Sequence, residues 1–108
     1  MGTLEFLGAP EWFPATVLTL QRTSVDEWSL LLRIASGAAI PLRATGVTEI
    51  WDKKPIGMVV ECIALVTDGP ARWIQVRGYE DDDSDIGFEG ANVRLELERY
   101  NTSGPTMG

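Results

Sequence analysis

The chain has no histidine. That removes the commonest general base, the usual partner of a catalytic serine or cysteine, and most zinc ligand sets. It has a single cysteine, Cys62. One cysteine forms no intramolecular disulfide and no cysteine-based metal cluster. Cys62 lies in the most apolar stretch of the sequence, where a thiol behaves as a small hydrophobe. Basic residues are few. Nine Lys and Arg stand against 16 Asp and Glu, a formal net charge of −7. Such a balance repels phosphate backbones and anionic bilayers, so neither nucleic acid nor a membrane is expected as a partner. No apolar run reaches the length of a membrane-spanning helix. The first ten residues carry no basic segment and no long apolar core, so they do not read as a signal peptide, and the cytoplasm is the expected location. The glycines are scattered rather than grouped into a phosphate-binding loop. Neither a catalytic motif nor a metal site or cofactor is expected.

What is present is an ordinary globular composition, 44% hydrophobic and 23% charged. A chain of 108 residues buries roughly two-thirds of its unfolded surface, enough for one core. One β domain is expected over residues 1–101, followed by a flexible tail over 102–108.

The dominant period is two. Ala15–Arg22 alternates with Leu18 and Leu20 on one side. Glu27–Ile34 puts Trp28, Leu30, Leu32 and Ile34 on one face. Ala39–Ala44 turns Ile40 and Leu42 inward, and Ala71–Arg77 sets Ile74 and Val76 opposite Trp73, Gln75 and Arg77. Asn92–Arg99 places Val93, Leu95 and Leu97 inside. Pro41 marks an edge or a bulge, and Gly46 a bulge inside a strand. Ser36-Gly37 and Asp68-Gly69-Pro70 suit tight reversals. Short strands separated by such turns predict an all-β protein, a small antiparallel sandwich or barrel of about six to seven strands. Residues 25–36 also fit a helix, with Ser24-Val-Asp-Glu27 as its capping box. In that case the fold becomes a β-rich α+β.

Met58–Thr67 is apolar on both faces of an extended strand. Met58, Val60, Cys62, Ala64 and Val66 fall on one side, and Val59, Glu61, Ile63, Leu65 and Thr67 on the other. A sheet wet on one side would alternate with polar residues. This strand needs cover on both sides, from a second layer, a closed barrel or another subunit, and a homo-oligomer, dimer or tetramer, is expected.

Four tryptophans are many for this length. Trp28 reads as core. Trp12 and Phe13 lie in an irregular aromatic stretch, Trp51 ends its strand, and Trp73 faces away from Ile74 and Val76. Tryptophans off the core are enriched at interfaces and clefts. With Glu61, the one charge in its strand, these four residues are the candidate ligand-binding set: Trp12, Phe13, Trp51 and Trp73. In the acidic run Glu80–Asp85, Asp81, Asp83 and Asp85 have the spacing of a calcium loop, but Ile86 stands where the turn glycine belongs. Asp81, Asp82, Asp83 and Asp85 are instead candidate contacts for a basic protein partner.

The layout Trp28-Ser-Leu-Leu-Leu-Arg-Ile34 followed by Ile40-Pro-Leu-Arg-Ala-Thr-Gly-Val-Thr-Glu-Ile50 resembles small bacterial immunity-type β proteins. The resemblance covers about half the chain, through apolar spacing alone. It implies an acidic protein that binds and blocks another protein, and it carries over no functional residue. The expected function is a self-associating, non-enzymatic binding module of immunity or adaptor type. The alternative is a small-molecule-binding barrel with an aromatic cleft, including a carboxylate-based enzyme with Glu61 or Glu49 pointing inward.

Overall fold

Among the described residues, period-two alternation is realised as nine antiparallel strands joined by short turns. The computed structural model describes residues 2–53, 55–79 and 85–97. The tail expected over 102–108 lies outside them, as do Asp81, Asp82 and Asp83. The strands are β1 (Gly2–Leu7), β2 (Ala15–Ser24), β3 (Glu27–Arg33), β4 (Ala39–Thr45) and β5 (Glu49–Lys53). They continue with β6 (Val59–Asp68), β7 (Ala71–Gly78), β8 (Asp85–Glu89) and β9 (Arg94–Leu97). A single 3-10 turn, Pro10–Trp12, lies between β1 and β2.

The helix over 25–36 is not formed, and with it the α+β alternative falls. Val25 and Asp26 make a turn, and Glu27–Arg33 is strand. Leu30 and Leu32 have no exposed surface, and β3 is bonded on both sides, to β2 and β4. Ser24, the first residue of the capping box, serves a hairpin instead, its Oγ donating to Asp26 Oδ1 at 3.4 Å. Arg22 donates from Nε to the Ser24 carbonyl at 3.1 Å and from Nη2 to the Val25 carbonyl at 3.1 Å.

The strand order is β5-β8-β7-β6-β2-β3-β4-β9, with β1 also beside β6. β6 is the shared strand. Val59 and Val60 pair with Thr16 and Ala15 of β2, whereas Ile63–Asp68 pair with β1. The sheet therefore forks at β6. One arm is β1-β6-β7-β8-β5 and the other β2-β3-β4-β9. The two arms wrap one core in a sandwich-like arrangement. Phe88, Ile74, Ile63 and Ile86 come from the first arm and Leu30, Leu32 and Val17 from the second, all at most 1% exposed.

The nine strands of the described residues exceed the expected six to seven, and β1, β5 and β8 account for the difference, each for a physical reason. β1 hides in an N-terminal segment with few turn signals. β5 runs on from β4 in the sequence pattern, where Gly46 has the look of a bulge. Gly46 is instead a crossing, at φ +71°, where the chain leaves the second arm and joins β8 of the first. β8 was masked by the acidic run before it, although Ile86 and Phe88 alternate inward. At Pro41, β4 pairs with Leu31 of β3, and among the described residues the β9 register stops one residue short, at Leu42.

Two bulges shift the expected faces. Between Val17 and Thr19 the β2 register slips, so Val17 and Leu20, not Leu18 and Leu20, face the core. Between Val60 and Cys62 the β6 register slips at Glu61. Met58 and Val60 before the bulge and Ile63 and Leu65 after it share the core. Cys62, Ala64 and Val66 are left on the outer face.

Candidate functional site

The Glu61 bulge sits at the fork. Upstream of it β6 pairs with β2 and downstream with β1, so Glu61 and Cys62 fall between the two partners. Residues 8–14 bridge this gap. Gly8 adopts φ +81°, and a Cβ there would stand 2.7 Å from the Trp12 indole. A side chain at Gly8 would therefore displace the indole. The Trp12 amide donates to the Ala9 carbonyl at 3.0 Å, and its own carbonyl accepts from Ala35 at 2.9 Å. The Trp12 and Phe13 rings are 6.4 Å apart and inclined by 54°.

The bridge leaves a groove of about 340 Å³ lined by Phe6, Leu7, Gly8, Pro10, Phe13, Glu61, Cys62 and Ile63. That volume is near the lower end for small-ligand clefts. Its walls are apolar and Glu61 is the one charged residue among them. The structure thus brings Phe13 and Glu61 together, with Trp12 behind Gly8. Burial pushes the Cys62 thiol above its ordinary value. Arg77 partly offsets this and Glu61 adds to it. The thiol is held protonated at neutral pH, the opposite of an activated nucleophile.

Trp51 and Trp73 belong elsewhere, on the outer face of the first arm. Because directly paired residues share a face, two cross-strand rows can be read from the register. One row runs Phe6, Ala64, Gln75, Gly87, Trp51; the other runs Leu4, Val66, Trp73, Glu89, Glu49. Near β1, β6 and β7 both rows are uncharged. Glutamates appear only toward β5. Leu4 and Phe6 are 56% and 67% exposed.

Trp51 closes the β5 end of this face. A Cβ on Gly87 would fall 1.9 Å from its indole, so the ring lies directly on the β8 backbone. Its Nε1 donates to the Asp85 carboxylate at 3.2 Å, and the Gln75 amide donates to both Asp85 oxygens at 3.4 Å. Asp85 is therefore not a free loop charge, as the sequence suggests. It opens β8, half-buried and engaged by two side chains. Asp81, Asp82 and Asp83, the rest of that candidate set, lie outside the described residues. Glu49 is exposed on the outer face and borders a small open groove of about 170 Å³ with Arg22, Val25, Trp28, Val47, Thr48 and Ile50.

Sequence reasoning singled out Trp51 and Trp73 on this face but missed Leu4 and Phe6. The available signal was Thr3-Leu-Glu-Phe-Leu7, which alternates as a strand does. No family model matches the chain, and no curated protein or solved structure is found similar to it.

Proposed function

We propose that the protein is a small acidic binding module, without catalytic activity, that self-associates through the outer face of the β1-β6-β7-β8-β5 arm. One observation carries this reading. The exposed Leu4 and Phe6 and the half-buried Val66 and Trp73 form an uncharged apolar patch in a chain of net charge −7. Charge is depleted at the centres of protein interfaces and aromatic residues are enriched there. Cover for this face also answers the two-sided apolarity of β6. Its inner side is filled by the core, and a second copy would complete the cover of its outer side, where Cys62 and Val66 are half-buried.

Light scattering on a size-exclusion column, across a wide concentration range, tests the reading. The expected result is a mass that rises from monomer to dimer with concentration. Two copies of net charge −7 repel, and salt screens that repulsion over about 10 Å at 0.1 M. Association should therefore tighten as salt is raised. A strict monomer at every concentration and salt would contradict the reading.

A further inference from the structure

The groove at the fork is separate from the apolar patch of the outer face, although Phe6 borders both. We infer that this groove binds a small primary ammonium ion carrying one aromatic ring or a short alkyl chain. Glu61 receives the ammonium, and Phe6, Leu7 and Phe13 receive the apolar body. The inference does not depend on self-association.

Strand pairing opens the groove. The β2 register on β6 ends at Val60, and the β1 register begins at Ile63. Glu61 and Cys62 fall in the gap between them. On the other side of β6 the pairing with β7 slips between Val60 and Cys62, which makes Glu61 the extra residue. Bulges re-aim side chains and are common beside binding sites. The position of this carboxylate is therefore set by the hydrogen-bonded ladders around it.

Charge decides the class of ligand. Glu61 is the one charged residue of the lining. Among the described residues it makes no hydrogen bond and no ion pair. Arg77 acts electrostatically on Cys62 from β7, but it is outside the lining and does not pair with Glu61. An ammonium bound at Glu61 gains a charge-assisted hydrogen bond. A quaternary ammonium has no N–H to donate and gains none. The rings of Phe6 and Phe13 favour a cation further, since aromatic faces attract positive charge. An anion is repelled by Glu61 and by the net charge of −7. A neutral ligand fills the apolar walls and leaves the carboxylate unengaged. A volume of about 340 Å³, open to solvent, limits the body to one ring or a short chain.

Titration of the isotope-labelled whole chain with phenethylammonium, followed by NMR, tests this. Protein concentration is held where light scattering shows a single species. Saturable shifts are expected at the amides of Gly8, Glu61, Cys62 and Ile63. Phenethyl alcohol has the same ring and no charge, and should bind about fivefold more weakly. The phenylpropanoate anion should not bind. Glu61→Gln, at an exposed site, should keep the fold and lower the affinity for phenethylammonium to that for the alcohol. Glu11→Gln is the control. Glu11 is exposed on the adjoining 3-10 turn but outside the lining, so its removal should leave the affinity unchanged. An ammonium that binds no better than the alcohol, or as well to Glu61→Gln as to the wild type, overturns the inference. Equal losses in the two variants would do so too, because they would reduce binding to attraction by net charge. Shifts that never saturate, or that cluster away from the fork, remove the groove as the site. Oligomeric mass is not the readout, so a chain that proves monomeric would end the self-association reading and leave this one standing.

Discussion

Gly90→Ala is expected to lower stability by about 2–3 kcal/mol, and the thermal midpoint by about 10–20 °C. Gly90 is buried at the end of β8, where the turn to β9 crosses the link between β4 and β5. A Cβ there would stand 2.0 Å from the Gly46 carbonyl oxygen. The obstacle is backbone on both sides, not the movable tip of a side chain. The crossing is also held by hydrogen bonds. Gly90 donates to the Arg72 carbonyl at 3.0 Å, Val93 to the Gly90 carbonyl at 3.1 Å, and Thr48 to the Glu89 carbonyl at 2.7 Å. Arg72 adds two more to the Val93 carbonyl, from Nε at 3.2 Å and Nη2 at 3.1 Å. Relief of the clash must break part of this set. Gly37→Ala is the control. It imposes the strain of φ +97° but meets nothing within 4 Å, so it should cost only about 1–2 kcal/mol. Calorimetric melts of the two variants decide the matter. Equal midpoints would mean that the crossing yields freely and does not set the position of β5.

Phe88→Ala should cost about 3–5 kcal/mol, the largest single effect expected in the core. Phe88 has no exposed surface and pairs with Ile50 on one side and Ile74 on the other. Truncation leaves a cavity in the middle of the first arm, where the backbone ladders on both sides prevent collapse. The same change at Phe6 is the informative comparison. Phe6 is 67% exposed and faces away from the core, so Phe6→Ala should change monomer stability by less than about 0.5 kcal/mol. Denaturant titrations give both values. Under the proposed function, Phe6→Ala loses association instead of stability. A Phe6→Ala cost comparable to that of Phe88→Ala would place Phe6 in the core and remove it from the binding surface.

The strand framework was legible because period-two alternation survives wherever a strand has one wet face. β3, β4 and β7 read true for that reason, whereas in β9 Leu97, expected inside with Val93 and Leu95, is 53% exposed. Bulges were the main obstacle. A one-residue slip exchanges the two faces of a strand, and nothing in Val59-Val-Glu-Cys-Ile63 marks Glu61 as the extra residue. Its effect was to divide an apolar run into a core half and an outer half. Local signals also misled where they were real but served another end. Ser24-Val-Asp-Glu27 has the form of a helix start, yet its polar groups stabilise a turn. The acidic run 80–85 drew attention to loop charge and hid a strand beginning at Asp85. Of the candidate site, Phe13 and Glu61 meet at the fork groove with Trp12 behind them, and Trp51 and Trp73 share the outer face. That division depends on which strands neighbour β6, which single-residue patterns do not encode. The exposed partners Leu4 and Phe6 needed the β1–β6 register to be seen at all.

Amide hydrogen exchange, read by mass spectrometry at low and high protein concentration, tests the central claim most directly. Backbone beneath a surface that a second chain covers exchanges more slowly than exposed backbone. The account predicts that β1, which carries the exposed Leu4 and Phe6, gains protection at high concentration, while β9, on the other arm, does not. Protection of β1 that is the same at both concentrations would contradict the assignment of this face as the place where the protein meets a second copy.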